Sequence, residues 1–355
     1  MKKWAIFCGI IDVIAICCFV LCYSSIPFCK DFQYLIISTA KDTKTHDYIA
    51  YTFWSEDYVS KVVSETKYVP VSGEVNLDDI VIDATPKDHY SNEYDEQILT
   101  RETSGDYSNY ADYFKYIKVK AGKYDAHLVA IYDPSLVQVM RCKKFNTGVN
   151  TAENMSHSGE KILKMTERYN GLVGINAGGF ADSGWGSDIP LGPVLSKGEI
   201  AWDAGAGDLV GFTKDNKLLL KNASSKEALA MGYRDAVKFG PNLIINGETP
   251  DLTNKKAGGY SRAARTAIAQ RKDGVVLFLV TEGTHAAGPS LVEVTELLLK
   301  YGAYNATNLD GGTSVQLVLK NNSGKYKLIN NPKNVYGNPV NGGRSVVTGF
   351  GLIPE

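Results

Sequence analysis

Cysteine is almost absent from the larger part of this chain. The sequence has 355 residues and six cysteines. Five of them lie in or beside the first apolar run, at Cys8, Cys17, Cys18, Cys22 and Cys29, and only Cys142 lies beyond it. No disulfide framework can form in the main part of the protein, which excludes the disulfide-rich class of small secreted domains.

Several chemical signatures are missing as well. No group of His and Cys has zinc-site spacing, and the chain contains neither a P-loop nor a dinucleotide-binding glycine fingerprint. The bends that contain serine lack the G-x-S-x-G pattern of a hydrolase elbow. The formal net charge is −1, and no cluster of Lys and Arg is interleaved with aromatic residues. Nucleic acid is therefore not an expected partner.

A long apolar run is present only at the N-terminus. Residues 4–23 are apolar except for Asp12, and their number matches the ~20 residues that span a bilayer. The following residues contain no good small-x-small cleavage site, so we interpret residues 1–25 as a transmembrane anchor rather than a signal peptide. Lys2 and Lys3 predict a cytoplasmic N-terminus, a single membrane pass and an extracellular main domain. The role of Asp12 stays open.

Two further regions follow the anchor. Residues 26–115 begin with helical apolar spacing between residues 31 and 64, which predicts a membrane-proximal helical extension. Residues 91–109 are acidic and rich in Tyr and Ser, which predicts a loop or linker. From residue 116 to residue 355, short apolar segments bounded by Gly, Asp or Pro predict many strands and few helices. This pattern favours an α+β fold, a single mixed β-rich domain.

Individual elements can be predicted in this last region. Helical patterns cover residues 151–169, 224–231 and 290–301, and Ser290 with Glu293 forms a capping-box pattern at the start of the third. Strands are predicted at residues 117–119, 126–132, 137–141, 172–176, 194–196, 209–213, 218–220, 237–239, 243–245, 266–270, 275–281, 315–319 and 345–352. Strands with few helices between them argue against a doubly wound sheet.

Four polar motifs stand out in the β-rich region, and three of them are rich in glycine. They are INAGGFAD at 175–182, SRAARTAIAQ at 261–270, NLDGGTS at 308–314 and GGRSVVTGFGLIP at 342–354. The third follows a helical pattern and places an acid, two glycines and two hydroxyls at one bend. Taken alone it is typical of a tight turn, because glycine accepts positive φ and Asp can hydrogen-bond back onto the turn. The order and spacing of all four motifs are far more specific than any one of them.

Together the four motifs resemble the phosphodiester glycosidase family, from about residue 118 to the C-terminus. The residues that fall on family positions are Asn176, Gly178, Gly179, Phe180, Arg265, Thr266, Asp310, Gly311, Gly312, Ser314 and Arg344. The chain departs from the family pattern in two places. Glu282 and Gly283 stand where Asp-Gly is usual, and Ala177 separates Asn176 from the glycine pair. The resemblance implies a hydrolase that cuts the bond between a sugar C1 and a phosphate oxygen.

Such a reaction requires support for an oxocarbenium-like sugar and for negative charge on the leaving phosphate. Arg offers a planar bidentate grip on phosphate, so we predict that Arg265 and Arg344 bind it. Asp310 first, and Glu282 second, are the predicted catalytic carboxylates, each as nucleophile, base or electrostatic stabiliser. Their separation decides between retaining and inverting chemistry, and the sequence does not give it.

Further residues are predicted to assist. His285 could donate to phosphate or protonate a leaving group, and is the third predicted catalytic residue. Predicted substrate-binding groups are the Asn176 side chain, the N–H groups of Gly178 and Gly179 as an anion nest, and the hydroxyls of Thr313 and Ser314. No cofactor is predicted. The acidic loop 182–188 could hold a divalent cation such as calcium, although it shows no specific ligand pattern.

The sequence therefore predicts a membrane-anchored extracellular hydrolase of sugar-1-phosphodiester bonds, with a phosphorylated glycan of the cell surface or an exopolysaccharide as substrate. The alternative is a non-catalytic glycan-binding or exopolysaccharide-assembly protein with the same fold, which would present some of its 21 tyrosines on a groove. The natural polymer, the sugar and the oligomeric state stay open.

Overall fold

The computed structural model describes residues 2–41, 47–83, 85, 89–101, 105–146, 159–182, 187–253, 258–284, 287–334 and 336–354. Contacts within the chain divide it into two units. Unit 1 comprises Met1–Val69 and Thr253–Arg262, and unit 2 comprises Pro70–Leu252 and Ala263–Glu355. The four motifs belong to unit 2, except for Ser261 and Arg262 at the start of the second motif.

Unit 1 is helical. Its helices are α1 (Lys2–Tyr23), α2 (Pro27–Lys41), α3 (Tyr48–Phe53) and α4 (Glu56–Thr66). Within α1, the 18 residues Ile6–Tyr23 are long and apolar enough to cross a membrane, and none of them is buried. This helix fits a signal anchor or a signal peptide.

The helices α2 to α4 form a small core of their own, as the spacing over residues 31–64 predicted. Helix α4 begins where the Ser55 side chain accepts a hydrogen bond from the Tyr58 amide, and two acidic residues follow in its first turn. The buried residues of this core are Tyr34, Ile37, Ala40, Ala50, Trp54, Val59 and Val62.

Unit 2 is built from antiparallel sheets. Its strands are β1 (Phe114–Ala121), β2 (Tyr124–Ile131), β3 (Val137–Arg141), β4 (Val173–Asn176), β5 (Phe180–Asp182), β6 (Ser187–Pro190), β7 (Val194–Ser196), β8 (Glu199–Trp202), β9 (Gly207–Thr213), β10 (Leu218–Ala223), β11 (Tyr233–Lys238), β12 (Asn242–Ile244), β13 (Thr266–Arg271), β14 (Val276–Thr281), β15 (Ala303–Leu309), β16 (Leu317–Lys320), β17 (Tyr326–Leu328) and β18 (Thr348–Leu352). Sheet 1 has the order β1-β2-β14-β13-β15-β12, sheet 2 the order β17-β16-β4-β18-β3 and sheet 3 the order β10-β9-β11-β7-β8, while β5 and β6 pair with each other.

One apolar core takes side chains from all three sheets. Alternate residues of a strand point to the same face, and Ile268 of β13 and Phe278 of β14 lie on the core face of sheet 1. Ile175 and Phe350 of sheet 2 and Phe212 of sheet 3 pack into the same core. Burying these faces together is the main favourable term for the fold, and it fixes which strand ends lie side by side.

Among the described residues of unit 2, helices are few, as the sequence predicted. They are α5 (Glu93–Leu99), α6 (Ile162–Arg168), α7 (Ser225–Ala230) and α8 (Leu291–Lys300). The predicted capping box is confirmed, because the Ser290 side chain accepts from the Glu293 amide and the Glu293 side chain accepts from the Ser290 amide. The α+β assignment, a mixed β-rich domain preceded by an apolar helix, is confirmed.

Strand β15 corrects the interpretation of the NLDGGTS motif. The sequence suggested that this motif follows a helix, but a buried strand separates α8 from Asp310. Asn305 and Thr307 lie in β15 and are fully buried. Their polar side chains obscured the apolar periodicity of the strand. The side-chain oxygen of Asn305 accepts a hydrogen bond from the Asn246 amide.

The predicted linker over residues 91–109 was also wrong in part, because it contains α5. The Asn92 side chain accepts from the amides of Tyr94 and Asp95, and the end of the helix buries Ile98 and Leu99. The helix predicted over residues 151–169 is observed only as α6, and residues 151–158 lie outside the described part. The domain boundary at residue 115 stays a prediction.

Arg271 holds α5 onto sheet 1. Its guanidinium lies 2.5 Å from an Asp95 carboxylate oxygen and 2.9 Å from one of Asp273, and it donates to the Tyr301 carbonyl at 2.9 Å. The side chains of Arg271, Asp95 and Asp273 are 10%, 13% and 9% exposed, so this network is largely shielded from water. A shielded network of this kind is sensitive to the loss of one charge.

We expect Arg271→Met to lower the free energy of unfolding by about 3–5 kcal/mol, because it leaves two buried carboxylates without their cation. Urea denaturation of the detergent-solubilised chain, followed by tryptophan fluorescence, measures the change. Lys226→Met, at an exposed position of α7, is the control and should change it by less than about 0.5 kcal/mol. Equal effects of the two substitutions would contradict the role assigned to Arg271.

Candidate active site

The glycine-rich motifs meet at one end of sheets 1 and 2. In sheet 1, Thr266 at the start of β13 pairs with Leu309 at the end of β15. In sheet 2, Asn176 at the end of β4 pairs with Gly349 of β18. Because paired strands are antiparallel, the end of one lies beside the start of its neighbour. Segments separated by more than a hundred residues of sequence are thereby brought together.

The Asn176 side chain joins the two sheets. Its amide nitrogen donates to the Asp310 carbonyl at 2.5 Å. Its oxygen accepts from the Thr266 hydroxyl at 2.8 Å and from the Gln316 amide at 3.0 Å. Asn176 is fully buried, so these bonds form without competition from water. We therefore assign Asn176 a positioning role rather than the predicted direct contact with substrate.

The Asp310 turn is fixed on both sides. The Asp310 amide donates to the Ala177 carbonyl at 3.0 Å, and the Gly312 amide donates to the Ala264 carbonyl at 2.8 Å. The carboxylate of Asp310 accepts from the Gly311 amide at 3.1 Å. A Cβ on Gly311 would lie 3.0 Å from the Ala264 carbonyl oxygen, so glycine permits this close approach. Asp310 itself is half-buried.

Arg265 lies beside this turn. The same hypothetical Cβ on Gly311 would be 3.9 Å from the Arg265 Cδ, which places the arginine stem next to the backbone of the Asp310 turn. The Arg265 amide donates to the Thr281 hydroxyl at 2.8 Å, and the Thr281 amide donates to the Arg265 carbonyl at 2.9 Å. Across this end of sheet 1, Asp310 follows β15, Arg265 precedes the neighbouring β13, and Thr281 with Glu282 lies at the end of β14.

Glu282 is held by a hydrogen-bonded chain that starts at Tyr116. One carboxylate oxygen of Glu282, Oε1, lies 3.3 Å from His127 Nε2 and accepts from the Asn331 amide at 2.9 Å. A carboxylate only accepts, so His127 carries its proton on Nε2. Its Nδ1 lies within hydrogen-bond distance of the Tyr116 hydroxyl, 2.8 Å away. Among the described residues, none donates a hydrogen bond to the second oxygen, Oε2.

The pKa of Glu282 reflects these contacts. Burial raises the pKa, but hydrogen bonds from His127 and the Asn331 amide and the positive charge of Lys333 outweigh it, and the net pKa is lowered from its ordinary value. Glu282 is therefore a carboxylate at neutral pH and suits the role of base or electrostatic stabiliser. Burial raises the pKa of Tyr116 to about 12, so its hydroxyl stays protonated.

His127 and Tyr116 were missed by the sequence analysis. His127 lies on the same face of β2 as Val129 and Ile131, both of which belong to the core. A histidine at an inward position of an apolar strand was the available signal, because a buried polar group needs a partner. The partner, Glu282, is 155 residues away in sequence, so the pairing becomes visible only in the fold.

Arg344 connects the last motif to the first. Its guanidinium lies 4.9 Å above the ring centroid of Phe180, a cation–π contact that orients the arginine. The Arg344 carbonyl accepts from the fully buried Gln316 side chain at 2.7 Å, and Gln316 in turn accepts from the Ile162 amide at 3.2 Å. The arginine is half-buried and is held from both its backbone and its side chain.

Two predicted groups have other roles. The Gly178 amide donates to the Thr348 hydroxyl at 3.1 Å, and the Gly179 amide donates to the Lys238 carbonyl at 3.4 Å. Both N–H groups have protein acceptors, so the geometry contradicts the anion-nest interpretation. Glycine is needed at 178 for space, since a Cβ there would lie 3.1 Å from Thr348 Oγ1 and from Val237 Cβ.

The two predicted hydroxyls differ in exposure. Ser314 is buried, at 2% exposure, and its amide donates to the Gly311 carbonyl at 3.2 Å. We therefore interpret it as part of the turn. Thr313 is half-buried and stays a predicted substrate contact.

Some predictions fall outside the described residues. His285 lies outside them, and so do residues 183–186 of the acidic loop, together with the side chains of Asp182 and Asp188. In the described part of the chain, no group of three or more His, Cys, Asp or Glu side chains could hold a metal ion. The roles of His285 and of a divalent cation stay predictions.

The Asn176 network gives a direct stability test. We expect Asn176→Ala to lower the free energy of unfolding by about 3 kcal/mol or more. The substitution leaves three buried polar groups without their hydrogen-bond partner, and each such loss costs about 1–3 kcal/mol. Thr266→Val keeps the shape and removes only one bond to Asn176, so it should cost about 1 kcal/mol. Urea denaturation of both variants measures the difference, and a smaller effect of Asn176→Ala than of Thr266→Val would contradict the network.

Comparisons with known proteins support the family resemblance. The family model for phosphodiester glycosidase matches residues 169–353, slightly more than half of the chain. The prophage-derived protein YomE of Bacillus subtilis is 29% identical over 180 residues, which cover 48% of this chain and 27% of YomE. The N-acetylglucosamine-1-phosphodiester alpha-N-acetylglucosaminidase of Bos taurus is 28% identical over 182 residues, 46% of this chain and 34% of the bovine protein. The chain thus spans about a third or less of these relatives' lengths.

A solved structure shares the fold. The zebrafish N-acetylglucosamine-1-phosphodiester alpha-N-acetylglucosaminidase catalytic domain, auto-inhibited by its pro-peptide, superposes with a TM-score of 0.53 at 22% identity. The superposition covers 68% of this chain and 82% of the zebrafish chain. The family model covers all residues of the four motifs except Pro354. The chain belongs to the phosphodiester glycosidase family.

Proposed function

We propose that this protein is a membrane-anchored extracellular hydrolase that cleaves sugar-1-phosphodiester bonds. The proposal is supported by the placement of Asp310, Arg265 and Glu282 at neighbouring strand ends of sheet 1, with Arg344 linked to Asn176 through Gln316. Two carboxylates and two guanidinium groups are the set that glycosidic cleavage next to a phosphate requires.

The reaction assigns a role to each group. Water adds to C1 of the sugar, the C1–O bond breaks, and the oxygen leaves with the phosphate as a phosphate monoester. Arg265 and Arg344 bind the phosphate and stabilise the charge that it gains. Asp310, in its fixed turn, stabilises the positive charge at C1 or attacks it, and Glu282 acts through Oε2 as the base that takes the proton of the water.

The substrate class follows from the chemistry and from the relatives. The bovine and zebrafish proteins are named for N-acetylglucosamine-1-phosphodiesters, and we propose a substrate of this type as the first to assay. A surface glycopolymer or exopolysaccharide with sugar-1-phosphodiester links would be the polymeric form. The apolar helix α1, which is long enough to span a bilayer, supports retention at the membrane.

The proposal is tested by hydrolysis in ¹⁸O-labelled water. The full chain in detergent is incubated with a synthetic N-acetylglucosamine-1-phosphodiester, and the products are analysed by mass spectrometry. We expect free sugar that carries the label at C1 and an unlabelled phosphate monoester. Label in the phosphate would show P–O cleavage and contradict the glycosidase assignment. Binding without turnover would support the alternative, a non-catalytic glycan-binding protein.

Substitutions test the assigned groups. We expect Asp310→Asn to lower kcat by about 10²–10⁴-fold, because it removes the charge beside C1, and Arg265→Ala to lower kcat/KM by about 10²–10³-fold. Asp215→Asn, at an exposed turn position, is the matched control and should leave both constants unchanged. Wild-type rates in Asp310→Asn would contradict its role.

The His127 chain predicts a change in the pH dependence. The pKa of Glu282 is lowered, so the working carboxylate is lost only as pH falls through that low pKa. His127→Phe removes a bond that lowers the pKa while burial remains, so the acid limb of the kcat/KM profile should move to higher pH. Tyr116→Phe keeps the His127 to Glu282 bond and should move it less. An unchanged acid limb in His127→Phe would show that Glu282 is not the titrating base.

A further inference from the structure

Six large side chains at the start of unit 1 are exposed. They are Tyr23, Ile26, Phe28, Tyr48, Tyr51 and Phe53, with exposures from 45% for Tyr51 to 71% for Phe28. We call this set the aromatic rim. Two of its members follow the end of α1 directly, and three belong to the short helix α3. Three exposed aromatic side chains within one six-residue helix are unusual, and exposed apolar surface that is concentrated in one place often marks an interaction site.

Hydrogen bonds fix the rim at the end of α1. The Trp54 indole nitrogen donates to the Cys22 carbonyl at 2.7 Å, so the end of α3 lies against the last turn of α1. Gln33 of α2 donates to the carbonyls of Leu21 and Ser24, at 3.0 Å each. These carbonyls belong to a helix end and have no partner within α1. The capping side chains therefore hold α2 and α3 at a defined level.

The length of α1 indicates where its end would lie relative to a bilayer. The apolar window Ile6–Tyr23 has 18 residues, a length of about 27 Å, close to the ~30 Å of a bilayer's hydrocarbon core. With α1 in the membrane, the Cys22 carbonyl and Trp54 lie at the boundary between hydrocarbon and headgroups. Helix α3 has six residues and is about 9 Å long. The whole rim is therefore within reach of the headgroup layer, which is ~5–8 Å deep on each side.

We infer that the aromatic rim inserts into the headgroup layer of the bilayer that α1 spans, so that unit 1 rests on the lipid surface. The inference rests on the proposed membrane anchor. Tyrosine suits this layer, because its ring is apolar and its hydroxyl remains hydrated.

Helix α4 provides the comparison surface. Tyr58 near its start donates to Gln33 at 2.5 Å, and Thr66 at its end accepts from Ser38 at 2.8 Å. The two helices α2 and α4 thus run parallel, away from the end of α1 that Gln33 caps. Ser64 is exposed near the far end of α4, about 9 Å along the helix from Tyr58. We therefore expect it to contact lipid less often than the rim does.

Photocrosslinking of the full chain in phospholipid nanodiscs tests the inference. Benzoylphenylalanine is placed singly at Phe28, Tyr51 or Phe53, at Ser64 as the matched control, and at Phe19 of α1 as the test of the anchor. Lipid adducts are measured by intact mass spectrometry. All of these positions are exposed, so the core of unit 1 is left unchanged.

We expect lipid adducts at Phe19 and at the three rim positions, above the level at Ser64. Adducts at Phe19 without adducts at the rim would overturn the inference and leave the anchor standing. No adducts at Phe19 would overturn the anchor and the inference together. Protein-to-protein adducts at the rim in place of lipid adducts would show that another chain covers it and overturn the inference. Hydrolysis, measured separately, is not affected by any of these outcomes.

Discussion

The side-chain amide of Asn176 is the constraint on which the candidate site depends. It joins β4, the start of β13, the Asp310 turn and the residue before β16, all inside the protein. A buried amide is stable only when its donors and acceptors are used, and the groups around it are buried with it. The four segments must therefore keep their relative positions. The positions of Asp310 and Arg265 are fixed as a result, because both residues belong to or adjoin these segments.

The chemistry of the site follows from how its groups are held. Asp310 and Arg265 extend from backbones that are locked to each other, whereas Glu282 is held through its own side chain by His127 and the Asn331 amide. One oxygen of Glu282 is used for positioning, and this arrangement keeps the group ionised. Arg344 is oriented by the Phe180 ring and by Gln316. A preorganised set of this kind stabilises charge without reorganising during the reaction.

The sequence predicted the fold class and several of the residues that meet at the site. Asn176, Arg265, Asp310 and Arg344 lie in motifs whose order is informative without the structure. The capping box at Ser290 was predictable because it is local, with both partners within one turn of helix. The apolar helix α1 was predictable because length and composition define it.

The features that could not be predicted from the sequence depend on contacts between distant segments. Strand β15 was missed because its buried Asn and Thr side chains hide its periodicity, and their partners, the Asn246 amide and the Pro241 carbonyl, are 59 and 66 residues away in sequence. His127 gained a role only when β2 paired with β14 and brought it to Glu282. Gly178 and Gly179 were assigned to an anion nest, but close packing against β11 and the residues that follow it explains them better.

The central claim is that the joined strand ends bind a sugar-1-phosphodiester. The most direct measurement is a crystal structure of the chain with a non-hydrolysable sugar phosphonate, in which carbon replaces the C1 oxygen. We predict phosphonate oxygens in hydrogen-bond contact with the guanidinium groups of Arg265 and Arg344, and C1 facing the Asp310 carboxylate. A ligand bound elsewhere, or one whose C1 faces away from both Asp310 and Glu282, would contradict the account.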